Sequence, residues 1–494
     1  MTRRAGFLCP LFSVPGNQGI GDFGQKTLMM IDCIAESGYS FWQILPLQIT
    51  GNTHSPYQAL SSYAGDPIYI NLDRLAEMGL ITQSSVVNCN KFKDFVDYDE
   101  VREFKEEYFV RAFKTFKKEF DLYKEEYNAF LQEADYWLDE WAVFKLFRDL
   151  HEGLPWNEWD DEYRDYPQNK EIDLEDYEDE LFYIKFLQFI FYKQLSEISF
   201  HAHSQGVKIM GDVPFYVDYD SADVWANKKD FLLDEEGNAE FIAGCPPDYF
   251  SATGQRWGMP IYDFDEQKKD GYSFWCKRMK WTYKCYDMVR IDHFRAFDTF
   301  WKIPSSCPTA IDGKWILGPA HSLIRAILKA VPDIELIAED LGLIRKEVLE
   351  LEDDFNIPGM DVVLFRMEPK KLKKEAKQHS VIYTGTHDNA TLNQDYKDYD
   401  QNKRIGLRRF FKKQGYDHRS FNDMVCHYVL DSNADTAVLP IWDICGYKEE
   451  ARINSPGTLS DDNWTWKLKD FKTFPSEMKK TREWIEKSGR LQNK

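Results

Sequence analysis

Short apolar segments recur along the chain and predict the strands of a parallel sheet. Each is rich in β-branched or aromatic residues and too short to be a typical helix. Helix-period stretches separate several of them, such as Lys26–Ser37 and Glu180–Ser196, and this alternation is typical of α/β proteins. The eight candidate strands are Ala5–Leu8, Ser40–Leu45, Val207–Val213, Met288–Asp292, Ile334–Glu339, Met360–Phe365, Val381–Thr386 and Thr436–Ile441. Eight is the number that a closed (β/α)8 TIM barrel requires, so we predict one barrel domain over residues 1–494.

Two intervals between these strands are too long for one helix and predict insertions. Residues 82–178, after the second strand, hold amphipathic and highly charged helical segments. We interpret them as a helical insertion whose charged side chains form a solvated face. Residues 216–262, after the third strand, are rich in Gly, Pro and aromatic residues. They predict a loop insertion that covers the mouth of the barrel, where loops commonly carry function.

Carboxylates follow three of the predicted strands directly. Asp292, Glu339 and Asp388 each come at the end of an apolar run, and they lie 47 and 49 residues apart. The carboxyl ends of parallel barrel strands meet at one mouth, where barrel active sites are built. The three side chains are therefore predicted to converge on one site.

This arrangement suits the cleavage of glycosidic bonds, which needs a proton donor and a second carboxylate across the reacting carbon. Arg290 lies two residues before Asp292 on the same strand face, so we expect it to lower the pKa of Asp292 and keep this nucleophile ionised. Glu339 follows the apolar run Leu-Ile-Ala, which should raise its pKa as a general acid requires. Asp340 is predicted to cap the following helix instead.

Each of these motifs also has a purely structural interpretation. The pair of Arg290 and Asp292 could only close the end of the barrel. Asp388 could form an Asx turn, and His387 beside it could be a structural hydrogen-bond donor. Asp212, at the end of the third strand, either caps that strand or holds sugar hydroxyls.

Aromatic residues near the predicted mouth are candidates for stacking on sugar rings. Tyr57 follows the second strand. A tight Gly- and Pro-rich loop over residues 244–258 presents Tyr249, Phe250 and Trp257. Such a loop could cover a bound chain, and the alternative is that it only packs against the barrel.

The composition narrows the choice of partner. Aromatic residues make up 16% of the chain, more than a core needs, and the net charge is −21. An acidic protein is unsuited to nucleic acid or an anionic membrane surface, because both require clustered Lys and Arg, whereas a neutral substrate is compatible.

Cysteine usage and hydropathy indicate where the protein resides. The nine cysteines are odd in number and scattered, and the sequence has no C-x-x-C, so we expect reduced thiols in place of disulfides or a zinc site. The apolar stretch before Pro10 is too short for a signal sequence, and no apolar run reaches the ~18 residues of a membrane span. We therefore expect a cytoplasmic protein.

Longer segments resemble the amylomaltases and disproportionating enzymes of glycoside hydrolase family 77, the 4-α-glucanotransferases of the α-amylase clan. The resemblance extends over nearly the whole chain. Besides the three acid motifs, the segments that carry it are Pro15–Gly24, Trp42–Leu47, Ser55–Tyr57, Gly211–Tyr216, Pro246–Phe250, Asn454–Thr458 and Asn463–Trp464.

The resemblance implies a retaining transfer of an α-1,4-glucan segment from a donor maltooligosaccharide or starch chain to the 4-OH of an acceptor glucose or maltooligosaccharide. Asp292 would be the nucleophile, Glu339 the general acid/base and Asp388 the transition-state stabiliser. It also implies no metal, no organic cofactor and no C-terminal β domain, and we expect a monomer or homodimer. The implied substrate-binding residues are Tyr57, Asp212, Tyr249, Phe250, Gln255, Trp257, Arg290 and His387.

Two other functions remain open at the level of sequence. An α-amylase-type hydrolase would carry the same carboxylates and pass the sugar to water. A glucan-binding module without catalysis would bind starch and turn nothing over, although the three intact carboxylates argue against it.

Overall fold

The computed structural model of the protein describes residues 3–51, 53–86, 92–247 and 251–492. Within these ranges the chain forms twelve strands. They are β1 (Arg4–Leu8), β2 (Phe41–Gln43), β3 (Lys208–Val213), β4 (Phe241–Cys245), β5 (Gln255–Pro260), β6 (Met288–Ile291), β7 (Thr299–Pro304), β8 (Lys314–Leu317), β9 (Glu335–Ala338), β10 (Gly359–Val362), β11 (Ser380–Tyr383) and β12 (Thr436–Pro440).

Eight of these strands close into a parallel barrel, which confirms the predicted (β/α)8 fold. Their order around the barrel is β1-β12-β11-β10-β9-β6-β3-β2. Every predicted strand is present, although the prediction for β10 extended to Phe365, three residues past Val362. The strands are buried on both faces, as in β6, where all four residues are buried. This burial explains why they read as continuous apolar runs without alternation.

The described ranges also contain eighteen α-helices, most of which cover the barrel. The first nine are α1 (Gln25–Glu36), α2 (Leu72–Glu77), α3 (Tyr98–Lys118), α4 (Lys124–Glu133), α5 (Leu138–Leu150), α6 (Asp161–Arg164), α7 (Tyr166–Asn169), α8 (Glu178–Ser204) and α9 (Ala222–Ala226). The others are α10 (Phe264–Lys269), α11 (Ser273–Cys285), α12 (Ala320–Ala330), α13 (Lys346–Phe355), α14 (Leu392–Asp398), α15 (Gln401–Lys413), α16 (Phe421–Asp431), α17 (Ile441–Ile444) and α18 (Phe474–Lys487).

The long interval between β2 and β3 holds helices α2 to α8, and α3 to α7 lie within residues 82–178. Aromatic side chains join this helical segment to α8. Phe116 of α3 lies 4.8 Å from Phe186 of α8, measured between ring centroids. Lys105 of α3 is fully buried, and its Nζ lies 3.2 Å from the Oδ2 atom of Asp22. The segment thus packs on the barrel along an aromatic seam and through one buried ion pair.

A second, four-stranded antiparallel sheet stands beside the barrel, in the order β5-β4-β7-β8. Strands β4 and β5 lie within residues 216–262, where the sequence predicts only a loop. The other two strands come from the connection after β6. The insertion is therefore held by a sheet that pairs Ala243 with Lys302, which are far apart in sequence.

None of the helices in the described part of the chain is long and apolar enough to cross a membrane. Seven cysteines, all in the described ranges, are free thiols: Cys9, Cys33, Cys276, Cys285, Cys307, Cys426 and Cys445. Cys89 lies outside the described residues.

Candidate active site

The register of the barrel strands brings the predicted site residues to one edge. In the pairing of β3 with β6, Asp212 lies opposite Arg290. In the pairing of β6 with β9, Ile291 lies opposite Ala338, so Asp292 and Glu339 follow at the same level. The carboxyl ends of these three neighbouring strands thus form one wall of the mouth.

Arg290 is the positive centre of this wall and is 2% exposed. Its Nη1 atom donates to both carboxylate oxygens of Asp212, at 2.8 and 2.7 Å. Its Nη2 atom donates to Oδ1 of Asp292 at 2.8 Å. The guanidinium therefore fixes two carboxylates from adjacent strands at once.

The pKa of Asp292 is raised to about 6, because burial outweighs the lowering effect of Arg290 and because Asp212 and Asp388 add negative charge nearby. Arg290 acts in the expected direction, but the prediction that the pKa of Asp292 falls below its usual value is wrong. The side chain is still 30% exposed toward the mouth. Near neutral pH it remains ionised, as a nucleophile must be.

Glu339 follows β9 and is held by two backbone amides. The amide of His293 donates to Oε2 at 2.8 Å, and the amide of Leu341 donates to Oε1 at 3.1 Å. Burial, followed by the negative charge of Asp292, raises the pKa of Glu339 to about 7. The predicted upward shift is confirmed, and of the two carboxyls Glu339 holds its proton to the higher pH.

Asp340 does not cap the following helix, contrary to our prediction. Helix α13 begins at Lys346, and its N-cap residue is Arg345. The Asp340 side chain turns to the next barrel strand, where its Oδ1 accepts a hydrogen bond of 2.6 Å from the amide of Met360. The loop between β9 and α13 is longer than the sequence suggests, and this moves the helix start away from Asp340.

Asp388 follows β11 and contacts side chains from two directions. Its Oδ2 lies 3.3 Å from Nε2 of His387, and its Oδ1 accepts a hydrogen bond of 2.6 Å from Nδ2 of Asn454. These two contacts outweigh the effect of burial and hold the pKa of Asp388 well below its usual value. An Asx turn would direct the carboxylate to its own backbone, so the contacts favour the functional interpretation.

Asn454 was not singled out as a site residue from the sequence. It lies after β12, and the only sign of its importance was its place at the start of the Asn454–Thr458 segment. No local pattern indicates that this amide crosses to the end of β11.

Tyr57, which follows β2, and His387, which follows β11, extend the site to further barrel strands. The Tyr57 hydroxyl donates to Oδ2 of Asp212 at 2.8 Å and lies 2.9 Å from Nε2 of His387. The two rings are stacked, with centroids 5.3 Å apart. His387 is 1% exposed, and its Nδ1 atom has no hydrogen-bond partner among the described residues. Tyr57, Asp212, Arg290 and His387 therefore form one connected polar network.

Gln255 and Trp257 lie on β5 of the second sheet. The Trp257 Nε1 atom donates to Oε1 of Gln255 at 3.1 Å. The Trp257 ring packs edge to face on His293, the residue after Asp292, with centroids 4.9 Å apart. The sheet thus carries both predicted residues to the mouth. Tyr249 and Phe250, predicted in the same loop, lie outside the described residues.

The geometry assembles the parts of a glycosidic reaction: an ionised carboxylate, a protonated carboxyl and a third carboxylate of low pKa around one polar network. Within the described ranges no group of three or more His, Cys, Asp or Glu side chains is arranged to hold a metal ion.

Comparisons with known proteins agree with this geometry. A family model described as 4-alpha-glucanotransferase, of glycoside hydrolase family 77, matches residues 9–473. The 4-alpha-glucanotransferase of Thermus thermophilus is 36% identical over 99% of this chain and 100% of its own, and that of Synechocystis is 39% identical over 94% of both chains. The amylomaltase of Streptococcus agalactiae, solved in complex with acarbose, superposes with a TM-score of 0.92 at 28% identity, over 99% of this chain and 100% of its own.

Proposed function

The chain belongs to the 4-alpha-glucanotransferase family, glycoside hydrolase family 77, and from that membership we propose which of its residues carry out the transfer and how. The enzyme moves an α-1,4-glucan segment from a donor chain to an acceptor. The observation that supports the assignment of roles is the pair of carboxyls at the ends of β6 and β9. Glu339 has the higher pKa of the two, while Asp292 is bound to Arg290.

In the first step Glu339 donates its proton to the glycosidic oxygen of the donor chain. As the bond from this oxygen to the anomeric carbon breaks, Asp292 attacks that carbon and forms a glycosyl ester. The leaving chain departs with a free 4-OH. In the second step the ionised Glu339 takes the proton of an acceptor 4-OH, whose oxygen displaces Asp292. Two inversions leave the α configuration unchanged.

The remaining network stabilises the transition state between these steps. The anomeric carbon carries partial positive charge there, and Asp388 is a carboxylate that stays ionised throughout the working pH range. Its contacts with His387 and Asn454 hold it ready before the substrate binds. We assign Asp212, Arg290, His387 and Tyr57 to the sugar ring at the reacting centre.

Residues of the second sheet would line the path of the acceptor chain. Trp257 packs on His293, next to the nucleophile, and so offers an aromatic surface close to the reacting carbon. Gln255 adds a hydrogen-bonding amide beside it. A sugar held here is in place to capture the glycosyl ester before water does.

The substrates that we propose are maltooligosaccharides and starch or glycogen chains, with glucose as an acceptor. These are uncharged ligands, which fits a chain of net charge −21. We propose a cytoplasmic location, supported by the free thiols of buried residues such as Cys9 and Cys426.

Incubation of the purified protein with maltotriose tests the proposal. Transfer yields a ladder of longer and shorter maltooligosaccharides together with glucose. Products that are only shorter would favour a hydrolase. Asp292→Asn should abolish the ladder. Glu339→Gln should reduce its rate by about 10²- to 10⁴-fold, the usual contribution of a general acid/base. The Glu350→Gln variant, which changes an exposed carboxylate on α13, is the matched control and should form the ladder at the rate of the wild type.

A further inference from the structure

A second pair of carboxyls lies directly behind the proposed acid/base. Asp340 is the residue after Glu339, and Glu352 projects from α13, where it is 4% exposed. The two carboxyl groups are close enough to each other to form a hydrogen bond. Neither takes part in the chemistry described above.

A hydrogen bond between two carboxyl groups requires a proton on one of them, because ionised carboxylates are acceptors only. The surroundings of the pair favour the protonated form of one carboxyl group. The Oε1 atom of Glu352 is buried and has no hydrogen-bond partner in the described part of the chain, a costly state for a charged oxygen. Among the described residues, Lys377 is the one cation whose charge lowers the pKa of both carboxyl groups. Asp353 on α13 adds a further negative charge near Glu352.

The same pair ties together the elements that frame Glu339. Asp340 lies two residues after the end of β9, and its Oδ1 accepts a hydrogen bond from the amide of Met360 in β10. Glu352 anchors it to α13. Gly359 leaves the space for this contact, since a Cβ atom there would lie 2.6 Å from Oδ2 of Asp340. The amide of Leu341, on the other side of Asp340, donates to the Glu339 carboxyl.

We propose that Asp340 and Glu352 share one proton, and that this shared proton keeps the Glu339 loop in its working position. The proposal rests on the role assigned above to Glu339. Asp340 and Glu352 are positioning residues and do not touch the substrate. Loss of the proton places two negative charges side by side in a buried space, and their repulsion loosens the backbone that presents Glu339.

The pH at which this occurs follows from the surroundings. Burial and the adjacent Asp340 raise the pKa of Glu352 to about 8, and burial raises the pKa of Asp340 as well. A carboxyl whose folded pKa lies above its unfolded value stabilises the fold most at low pH, and this stabilisation is lost as the pH rises toward the folded pKa. The stabilisation that the pair gives to the fold should therefore be lost as the pH rises from about 4.5 to 8. Above that range the backbone that presents Glu339 should be loosened.

The variant Glu352→Gln tests this idea, because its amide donates to Asp340 at every pH. From pH 5 to 8 the melting temperature of the wild type should fall relative to that of Glu352→Gln. For each protein, kcat/KM on maltotriose is divided by its own value at pH 6.5. By pH 9, one unit above the pKa of Glu352, this ratio should be about tenfold lower for the wild type than for Glu352→Gln. Asp340→Asn should behave like Glu352→Gln. The amide group of the asparagine donates to Glu352, and its oxygen still accepts the hydrogen bond from the amide of Met360. Glu350→Gln should follow the wild type in both measurements.

The melting measurements require no activity, so they separate this proposal from the assignment of the reaction. The proposal is supported if the difference in melting temperature between wild type and Glu352→Gln grows with pH and the wild type also loses more of its kcat/KM at alkaline pH. If the melting temperatures of wild type and variant diverge but their kcat/KM values fall alike at alkaline pH, the positioning role is overturned. Identical melting curves for wild type, Glu352→Gln and Asp340→Asn at every pH overturn the shared proton itself, whatever the protein does to maltotriose.

Discussion

At the scale of single residues, the site separates two carboxyls by giving them different neighbours. Asp292 is bound to a buried guanidinium, whereas the donors to Glu339 within the described part of the chain are backbone amides. A guanidinium favours the ionised form more strongly than a neutral amide does. One proton shared between the two carboxyls therefore resides on Glu339, and the roles of acid and nucleophile follow from this asymmetry.

The first prediction is the pH dependence of the reaction. Catalysis requires Asp292 without its proton and Glu339 with it. Since the pKa values are about 6 and about 7, kcat/KM should rise through about pH 6 and fall through about pH 7. Initial rates on maltotriose between pH 4.5 and 9.5 measure this profile. The two carboxyls interact, so the limbs report apparent values of the pair. A rate that stays constant from pH 5 to 8 contradicts the assignment.

Most of the site could be predicted from the sequence, because its residues lie at strand ends in recognisable motifs. Asp292, Glu339 and Asp388 follow buried strands, and the barrel topology fixes where such positions meet. The sign of the Asp292 shift could not be predicted, since it depends on how deeply the side chain is buried and on the nearness of Asp212 and Asp388. Asn454 was missed because its partner lies 66 residues away.

At the scale of elements, the barrel strands were predictable and the second sheet was not. The barrel strands are buried on both faces, and each gives a compact apolar run. Strand β5 is only partly buried and contains Gly258 and Pro260, which are typical of loops. Its partner β4 pairs with β7, about 60 residues further along the chain. Pairing between strands so far apart in the sequence cannot be recognised from the residues of either strand.

The second prediction concerns β3, the strand that presents Asp212. A Cβ atom at Gly211 would lie 2.3 Å from the ring of Tyr286, which is itself buried. Gly211→Ala must therefore displace either the ring or the strand, and we expect the free energy of unfolding to fall by about 1–3 kcal/mol. The rate of transfer should fall too, because Asp212 is the next residue. Urea unfolding and the maltotriose assay measure the two effects.

Gly406→Ala is the matched control for this substitution. Gly406 lies on α15, and the nearest contact of an added Cβ atom is Pro369 at 3.8 Å, an ordinary van der Waals distance. Alanine in place of glycine within a helix should raise the free energy of unfolding by about 0.5–1 kcal/mol. If both variants unfold alike, the close contact with Tyr286 does not constrain β3.

At the scale of the whole molecule, the helical segment between β2 and β3 is joined to the barrel by aromatic packing and by ion pairs, among them Lys105 with Asp22 and Arg102 with Asp66. The aromatic seam between α3 and α8 is non-directional and tolerates small shifts. The ion pair of Lys105 and Asp22 is directional. Lys105 also donates to the carbonyl oxygens of Ile68 and Ile70, each at 2.7 Å. This ammonium group therefore connects α3 to three groups in the chain that leaves the barrel.

The third prediction is that Lys105→Met destabilises the protein strongly. The methionine fills a similar volume, but it leaves the buried Asp22 carboxylate without its cation and removes the Lys105 donor from the carbonyl oxygens of Ile68 and Ile70. Removing one partner of a buried ion pair typically costs about 3–5 kcal/mol. Lys346→Met, which removes an exposed lysine paired with Glu350 on α13, should leave the unfolding curve nearly unchanged. Urea unfolding followed by tryptophan fluorescence compares the two variants. Equal unfolding midpoints would mean that the buried ion pair of Lys105 and Asp22 does not stabilise the fold.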